Sequence, residues 1–300
     1  MMTGTFEGLR TASVNGASLA YHEQGAGEPV VFVHGSASDL RSFEQQVPAM
    51  GANYRAVAYS RRYARPNDDI EAGADDQMLP HVEDLVAFLR SMDVPSTHLV
   101  GHSWGGFIAL LTAIRYPEVV RSLVLMEAPV LSLFVSTPPR PLELLRLFPR
   151  RPGTALAIIK FGAMGFAPAV KAFRHGDDEA AIQAFGRGVL GKASYERLSE
   201  TRKQQLRDNV KSLRAQLLGA GFPPLGDDEV RTVRAPALLF VGEQSPAVMR
   251  LLTDHLQELL PNSECVEISN ASHMMHEENA SMVNETILGF LKRHSSRTSR

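Results

Sequence analysis

A serine stands between two glycines in the segment 101–105, which reads Gly-His-Ser-Trp-Gly. The apolar run 97–100 before it is typical of a buried strand, and the segment 107–111 after it has helical character. A strand, a sharp turn and a helix in this order present the hydroxyl at the carboxyl end of a sheet, beside a helix N-terminus that favours developing negative charge. The pattern therefore predicts Ser103 as a nucleophile. The alternative is a glycine-rich helix start in which the serine is incidental.

A serine nucleophile needs an adjacent base, and His273 is the best-placed histidine in the sequence. It follows the last predicted strand and precedes the final helix, at the sheet edge where Ser103 is expected. Imidazole suits proton transfer because its ordinary pKa lies near neutrality. His276 is the rival base, three residues further on, and it could instead belong to the loop or to the start of the next helix.

A second glycine turn follows the buried strand 30–33, in the sequence His34-Gly35-Ser36. A glycine at a strand end lets the chain turn sharply and exposes the next backbone N–H. The amides of Ser36 and Trp104 could then bind the oxyanion of a tetrahedral intermediate. An ordinary turn between a strand and a helix would explain the same residues, but the serine motif favours an oxyanion hole.

Short apolar runs alternate with amphipathic helices, which predicts a parallel sheet covered by helices on both faces. Two opening strands meet at Asn15-Gly16, a dipeptide typical of a tight hairpin. The predicted strands are 8–14, 18–24, 29–33, 56–59, 98–100, 123–126, 237–241 and 263–269. The predicted helices outside the middle of the chain are 39–48, 77–92, 105–116, 248–259 and 280–293.

The middle of the chain departs from this alternation. Prolines punctuate the segment 131–152, and the segment 153–220 reads as several helices without a strand. We therefore predict one α/β core made of residues 1–130 and 229–300. A helical insertion at 131–228 interrupts it.

Bulk properties exclude several classes of protein. A formal net charge of -2 over 300 residues gives no sign of a nucleic-acid or anionic-membrane partner. The single cysteine, Cys265, is expected to be a buried structural thiol. The sequence shows no signal-like N-terminus and no apolar run of roughly 18 residues, so we expect a cytoplasmic protein without a membrane partner. Without metal-ligand spacing or a phosphate-binding loop, we expect no cofactor, a small-molecule substrate, and a monomer or homodimer.

The ordered motifs make the chain resemble the α/β-hydrolase superfamily over nearly its whole length. The matching features are His34-Gly35, the turn around Ser103 and the late His273. The resemblance implies a mostly parallel eight-stranded sheet flanked by helices, with the segment 131–228 as a cap inserted after the sixth strand. It also implies a triad of serine, acid and histidine in that order along the chain.

The acid of this triad is where the sequence departs from the family pattern. The family usually places an aspartate after the seventh strand, and Ser245 stands there in this chain. A serine hydroxyl cannot supply the negative charge that stabilises an imidazolium. Glu127, at the end of the sixth strand, is the predicted replacement, because neighbouring strands lie only about 4.8 Å apart. This position resembles that of the acid in some haloalkane dehalogenases. Glu243 is the reserve, and a strand-end capping role is the alternative for Glu127.

Side chains from the insertion and from strand ends are predicted to border the substrate. Such aromatic and aliphatic side chains usually pack cap helices together, but some could form an apolar pocket near the nucleophile. The predicted pocket residues are His34, Phe161, Met164 and Phe185. The pair Arg61-Arg62 could bind a substrate carboxylate, but structural ion pairs, with Asp68 or Asp69, are the favoured interpretation.

Taken together, these features predict a cofactor-independent hydrolase of small to medium apolar carboxylic esters or lactones. Ser103 would form an acyl-enzyme, with His273 as base and Glu127 holding the imidazole. Hydrolysis of a carbon–carbon bond in a vinylogous diketone is an alternative on the same triad. A ligand-binding or sensor protein with weak turnover is another, kept open by Ser245. Direct displacement of halide is not expected, because the nucleophile is a serine.

Overall fold

Eight strands form one sheet in the computed structural model, which describes residues 8–295. The strands are β1 (Arg10–Val14), β2 (Ala17–Gln24), β3 (Pro29–Val33), β4 (Arg55–Tyr59), β5 (Thr97–His102), β6 (Val120–Met126), β7 (Ala237–Gly242) and β8 (Ser263–Ile268). Their order is β1-β2-β4-β3-β5-β6-β7-β8. β2 is antiparallel to β1 and to β4, and the remaining pairs are parallel. The predicted α/β class and mostly parallel eight-stranded sheet are confirmed.

The central strands are covered on both faces, which explains why they read as unbroken apolar runs. Val31 pairs with Leu99, Leu99 with Leu123, and Leu125 with Leu239, and all five side chains are fully buried. Parallel pairing brings the carboxyl ends of β3, β5, β6 and β7 to one edge of the sheet. Each of these ends runs into a segment that the sequence singled out for chemistry.

The helices flank the sheet and fill the long segment between β6 and β7. They are α1 (Gln46–Gly51), α2 (Met78–Ser91), α3 (Trp104–Arg115), α4 (Pro141–Leu147), α5 (Pro152–Phe161), α6 (Ala167–Arg174), α7 (Asp178–Leu190), α8 (Lys192–Arg197), α9 (Glu200–Asp208), α10 (Val210–Leu218), α11 (Asp227–Arg231), α12 (Ala247–Leu259), α13 (Met275–Glu278) and α14 (Ala280–His294). Short 3-10 helices cover Leu40–Phe43, Pro117–Val119 and Leu131–Leu133, and a π-helix covers Gly162–Phe166.

The predicted helix 39–48 is divided in the structure. It becomes the 3-10 helix Leu40–Phe43 followed by α1. The carboxylate of Asp39 accepts a hydrogen bond from the backbone N–H of Arg41 at 3.0 Å, which closes a tight first turn. Pro48 has no N–H to continue an α-helical ladder back to residue 44, so a regular helix begins only at Gln46.

The described elements between β6 and β7 are all helical, as the sequence pattern suggested. The predicted division at 130/131 and 228/229 into a core and a cap stays a prediction. α11 crosses its second boundary. We refer to residues 131–228 as the insertion.

One helical run of the insertion is unexpectedly long and apolar. Pro152–Arg174, which joins α5, the π-helix and α6, could cross a membrane by length and composition alone, contrary to the expectation from the sequence. About a third of its most apolar window (33%) is buried in the protein. Phe161 and Phe166 of this run line the cavity described below, so one face packs inside the protein. That the chain has no membrane partner stays a prediction.

Candidate active site

Ser103 occupies a strained turn between β5 and α3. Its backbone has φ 52° and ψ −123°, a conformation that L-residues rarely adopt. The flanking glycines make the turn possible, because a Cβ on Gly101 would lie 2.6 Å from the carbonyl oxygen of Gly105. A Cβ on Gly105 would lie 2.1 Å from the carbonyl oxygen of Val33. The Ser103 N–H donates to the Met126 carbonyl at 2.8 Å, which ties the turn to β6.

His273 and Glu127 form a buried hydrogen-bonded pair beside this turn. The Nδ1–H of His273 donates to Glu127 Oε2 at 2.5 Å, and the backbone N–H of Gly242 donates to Glu127 Oε1 at 2.8 Å. Glu127 is fully buried and has a positive φ of 49°, which turns its side chain across the end of β7. His273 Nε2 is buried and has no hydrogen-bond partner among residues 8–295, and Ser103 and His273 line the same small cavity. The pair therefore leaves Nε2 as the imidazole nitrogen available to a substrate or nucleophile.

Neither Ser245, at the position where the family usually has its acid, nor the reserve acid Glu243 binds this imidazole. The Ser245 hydroxyl is buried without a hydrogen-bond partner in the described part of the chain. Glu243 is exposed, and its carboxylate accepts from the backbone N–H of Asn270 at 2.7 Å. Of the two acids weighed from the sequence, Glu127 and Glu243, the structure brings Glu127 to His273.

Two further histidines pack close to the imidazole of His273 but lack its hydrogen bond to a carboxylate in the described structure. His102 Nε2–H donates to the carbonyl oxygen of His273 at 2.8 Å, and the His102 ring lies 4.4 Å from the ring of His276. Burial lowers the pKa of His102 and of His276 well below the ordinary value, so both rings are neutral at pH 7. Within residues 8–295, the rival base His276 has no carboxylate hydrogen-bonded to its ring, and the Glu277 carboxylate oxygen is 3.7 Å away.

The two predicted oxyanion amides lie at the turns after β3 and β5, and Ser36 and Trp104 line one cavity with Ser103. The guanidinium of Arg61 contacts both turns. Arg61 Nε donates to the His34 carbonyl at 3.0 Å, Arg61 Nη2 donates to the Gly35 carbonyl at 2.9 Å, and its guanidinium carbon lies 4.4 Å from the centroid of the Trp104 ring. Sequence reasoning missed this role of Arg61, because only the fold turns its side chain inward.

His34 is a framework residue, not a pocket residue. Its Nδ1–H donates to the Gly35 carbonyl at 2.9 Å and its Nε2 accepts from the Arg61 N–H at 2.9 Å, so both ring nitrogens are engaged inside the protein. The ring is fully buried and burial lowers its pKa well below the ordinary value. The structure does not bring His34 to the cavity, and we remove it from the predicted lining.

The adjacent arginines also differ from their predicted ion pairs. Arg62 binds Asp84 at 2.7 Å on α2, and neither arginine has an ion pair with Asp68 or Asp69 in the described structure. Arg61 is buried, and burial lowers its pKa to about 10, which still leaves it charged at neutral pH. Asp69 is instead paired with Lys211 of the insertion at 2.6 Å.

An apolar cavity opens beside Ser103 and encloses about 610 Å³, part of it open to solvent. Its lining is mainly aromatic and aliphatic: Trp104, Pro129, Leu131, Phe161, Phe166, Phe185, Val189, Leu217, Phe222 and Met249. The predicted Phe161 and Phe185 are among these side chains. Met164 does not line the cavity, contrary to the prediction, because it is 62% exposed on the outer side of its helix.

Asp76 and Gln216 are polar residues of the lining that sequence reasoning missed. Asp76 lies before α2, where it accepts from His81 Nε2 at 2.6 Å and from Gln216 Nε2 at 2.8 Å. Burial alone would raise the pKa of Asp76, but His81, Arg61 and Gln216 outweigh it and lower that pKa. The spacing of Asp76 and His81 could have signalled the pair, but nothing local placed it beside Ser103.

No group of three or more histidine, cysteine, aspartate or glutamate side chains suited to a metal ion occurs among residues 8–295.

Cys265 lies partly buried in β8 as a free thiol, and burial raises its pKa to about 11. At neutral pH the thiol is therefore protonated, as a structural cysteine would be.

Residues 28–280 match the model of the family described as the alpha/beta hydrolase fold. The chain belongs to the α/β-hydrolase fold family. Among curated relatives, a cis-3-alkyl-4-alkyloxetan-2-one decarboxylase of Shewanella oneidensis is 34% identical over 44% of this chain and 42% of that protein. The chain thus spans about two fifths of the first relatives it matches. A 2-hydroxy-6-oxononadienedioate/2-hydroxy-6-oxononatrienedioate hydrolase of Burkholderia vietnamiensis is 28% identical over 91% of this chain and 90% of that protein.

Solved structures share the same fold over almost the whole α/β-hydrolase chain. The enol-lactonase of Burkholderia xenovorans superposes with a TM-score of 0.74 at 18% identity, covering 94% of this chain and 100% of that one. The carboxylesterase CesB of Bacillus subtilis superposes with a TM-score of 0.70 at 18% identity, covering 94% of this chain and 90% of that one. At these identities the likeness establishes the fold.

Proposed function

We propose that this protein is a hydrolase that cleaves small to medium apolar carboxylic esters or lactones through an acyl-enzyme on Ser103. The observation that carries the proposal is the buried His273–Glu127 hydrogen bond beside the strained Ser103 turn. The strained turn, the buried imidazole and the buried carboxylate supply a nucleophile, its base and the group that orients the base.

In the proposed reaction His273 Nε2 takes the proton of the Ser103 hydroxyl as its oxygen attacks the substrate carbonyl. The N–H groups of Ser36 and Trp104 bind the oxyanion that forms. The tetrahedral intermediate collapses, the C–O bond to the alcohol breaks, and His273 returns the proton to the leaving oxygen. Water then attacks the acyl-enzyme by the same route and releases the acid. Glu127 stays ionised throughout and holds the Nδ1–H tautomer of His273.

A fluorophosphonate probe and aryl esters test this proposal directly. We expect rapid phosphonylation of wild-type protein, with mass spectrometry placing the label on Ser103, and we expect Ser103→Ala to lose both labelling and esterase turnover. Ser36→Ala is the matched control, because it removes a hydroxyl from the same cavity but keeps the backbone amide. A slowly labelled wild type without ester turnover would reject the proposal in favour of a binding or sensor protein.

Carbon–carbon bond hydrolysis is the second candidate, and the full-length similarity to the Burkholderia vietnamiensis hydrolase favours it. The same three residues would serve a vinylogous diketone. Parallel assays on aryl esters and on ring-cleavage diketones separate the two functions, since the physiological reaction should show the higher kcat/KM by several orders of magnitude. A clear preference for the diketones would replace the ester proposal.

A further inference from the structure

Asp76 and Gln216 give the aromatic cavity a polar patch that offers hydrogen-bond acceptors. Gln216 Nε2 donates to Asp76 Oδ2, and the other amide atom, Gln216 Oε1, is buried without a partner among residues 8–295. Both residues line the cavity together with Ser103. A buried carbonyl oxygen that the protein leaves unpaired is uncommon and points to a partner supplied from the cavity.

The orientation of the Gln216 amide follows from its neighbour. An ionised carboxylate only accepts hydrogen bonds, so the amide must turn its NH₂ group toward Asp76. The reverse orientation would place two acceptors against each other. Gln216 Oε1 is therefore held as a free acceptor by the same bond that fixes the side chain.

The charge around this patch favours a neutral donor over a cation. Asp76 carries one negative charge, and the buried guanidinium of Arg61 interacts with it electrostatically. His81 is hydrogen-bonded to Asp76, and burial lowers the pKa of its imidazole, which keeps the ring neutral. The cluster is thus balanced without a ligand, and an added ammonium group would lie near Arg61 without a counter-charge of its own.

We propose that the cavity takes ester or lactone substrates whose ring or apolar chain carries a hydroxyl group, which donates to Gln216 Oε1. The inference rests on the proposed function and narrows its substrate class. The aromatic lining binds the apolar part of the substrate. Gln216 distinguishes between substrates of similar size that do and do not carry the hydroxyl. A site built to bind a hydroxyl rejects the analogue that lacks it, because the protein acceptor is then left unpaired.

Matched ester pairs test the inference on the full-length protein. One series compares p-nitrophenyl phenylacetate with its 3- and 4-hydroxy derivatives, which places the hydroxyl on the acyl side. The other compares benzyl acetate with 3- and 4-hydroxybenzyl acetate, which places it on the alcohol side. We expect at least one hydroxylated ester to exceed its parent in kcat/KM by roughly ten- to a hundredfold.

The decisive variant is Gln216→Leu, which should bring that ratio to within about twofold of unity while raising turnover of the parent ester. Gln204→Leu is the matched control, because Gln204 is exposed on α9 and binds Asp208, and it should keep the wild-type ratio. Retained fluorophosphonate labelling of Gln216→Leu shows that its active site is folded. Ratios near unity in the wild type, or a ratio unchanged by Gln216→Leu, would overturn the inference.

The two proposals fail in distinguishable ways. If no ester is hydrolysed, the proposed function is wrong. Calorimetric binding of phenylacetate, benzyl alcohol and the hydroxy derivatives of each to wild type and Gln216→Leu then still decides the role of Gln216. Tighter binding of a hydroxylated ligand than of its parent, lost in the variant, supports the inference; equal binding within both series overturns it.

Discussion

The candidate site has two halves whose residues are held in place differently. The sheet half consists of residues at the carboxyl edge of the sheet, and the insertion half consists of residues of the insertion. Ser103, Glu127 and His273 follow β5, β6 and β8, where the strand register fixes the position of the backbone. In the insertion, Phe166 touches Phe161 and Phe185 with ring centroids 5.4 Å and 6.1 Å apart, so its geometry depends on packing between helices. The difference implies that the sheet half controls the chemical step and that the insertion half controls which substrate binds.

Within the sheet half, the ends of β6 and β7 can be compared as places for the acid. Glu127 starts from β6 but also accepts the N–H of Gly242, the last residue of β7. The carboxylate therefore reaches the region that an acid after β7 would occupy, although its backbone lies one strand away. The acid thus lies on a long side chain whose backbone is at the end of β6, and its carboxylate still binds Nδ1 of His273.

Glu127→Gln should have the largest effect, lowering kcat by about 10³- to 10⁴-fold. The amide has the shape of the carboxylate but no charge to stabilise the imidazolium, and its NH₂ favours the wrong imidazole tautomer. Ester kinetics and phosphonate labelling rates measure the loss. Ser245→Ala is the control and should stay within about twofold of wild type. Small, equal losses in the two variants would contradict the assignment of the acid.

Arg61→Met should lower kcat by about a hundredfold and change KM by less than about threefold. Without the guanidinium, the carbonyls of His34 and Gly35 lose their shared donor, and the Ser36 amide is no longer held for the oxyanion. Arg61→Lys should recover little, because one ammonium cannot reproduce the planar two-point contact.

A boronic acid inhibitor, which imitates the tetrahedral intermediate, separates this role from general destabilisation. Its affinity should fall in parallel with kcat/KM in Arg61→Met, whereas binding of the product acid should hardly change. Parallel weakening of both ligands would instead mean that Arg61 only maintains the shape of the cavity.

Moving the acid back tests the comparison between β6 and β7. Ser245→Asp, added to Glu127→Gln, should restore about tenfold of the lost kcat, because the side chain at position 245 is already buried close to Gly242, whose N–H binds Glu127. The single variant Ser245→Asp in wild-type background controls for unrelated gains. No recovery would show that the imidazole accepts a carboxylate only from the end of β6.

The sheet half was predictable because each of its signals is local. A glycine-flanked serine after an apolar run specifies the turn by itself, and Glu127 and His273 are placed simply by ending or following a strand. The hydroxyl of Ser245, which cannot replace a carboxylate, led directly to Glu127 as its substitute. The contacts of Arg61 with the two turns were not predictable, since adjacent arginines at a strand end give no sign of which one turns inward.

The insertion half was only partly predictable because the inward face of a helix is set by its packing. Phe161 and Met164 are three residues apart and would share a face of a regular α-helix. The π-helix Gly162–Phe166 changes that spacing, so Phe166 joins Phe161 in the cavity and Met164 faces outward. Gln216 was missed for the same reason, as only the folded helix α10 brings its amide to Asp76.

Phe185→Ala probes the insertion half and should have the smallest effect, raising KM about tenfold and leaving kcat within about threefold. Phe185 lines both cavities beside Ser103, so its loss removes contact area from the bound substrate without touching the reacting groups. Met164→Ala is the matched control within the insertion and should change neither constant. A fall in kcat as large as the rise in KM would contradict this separation of roles, because the helices would then position the reacting carbonyl as well as select the substrate.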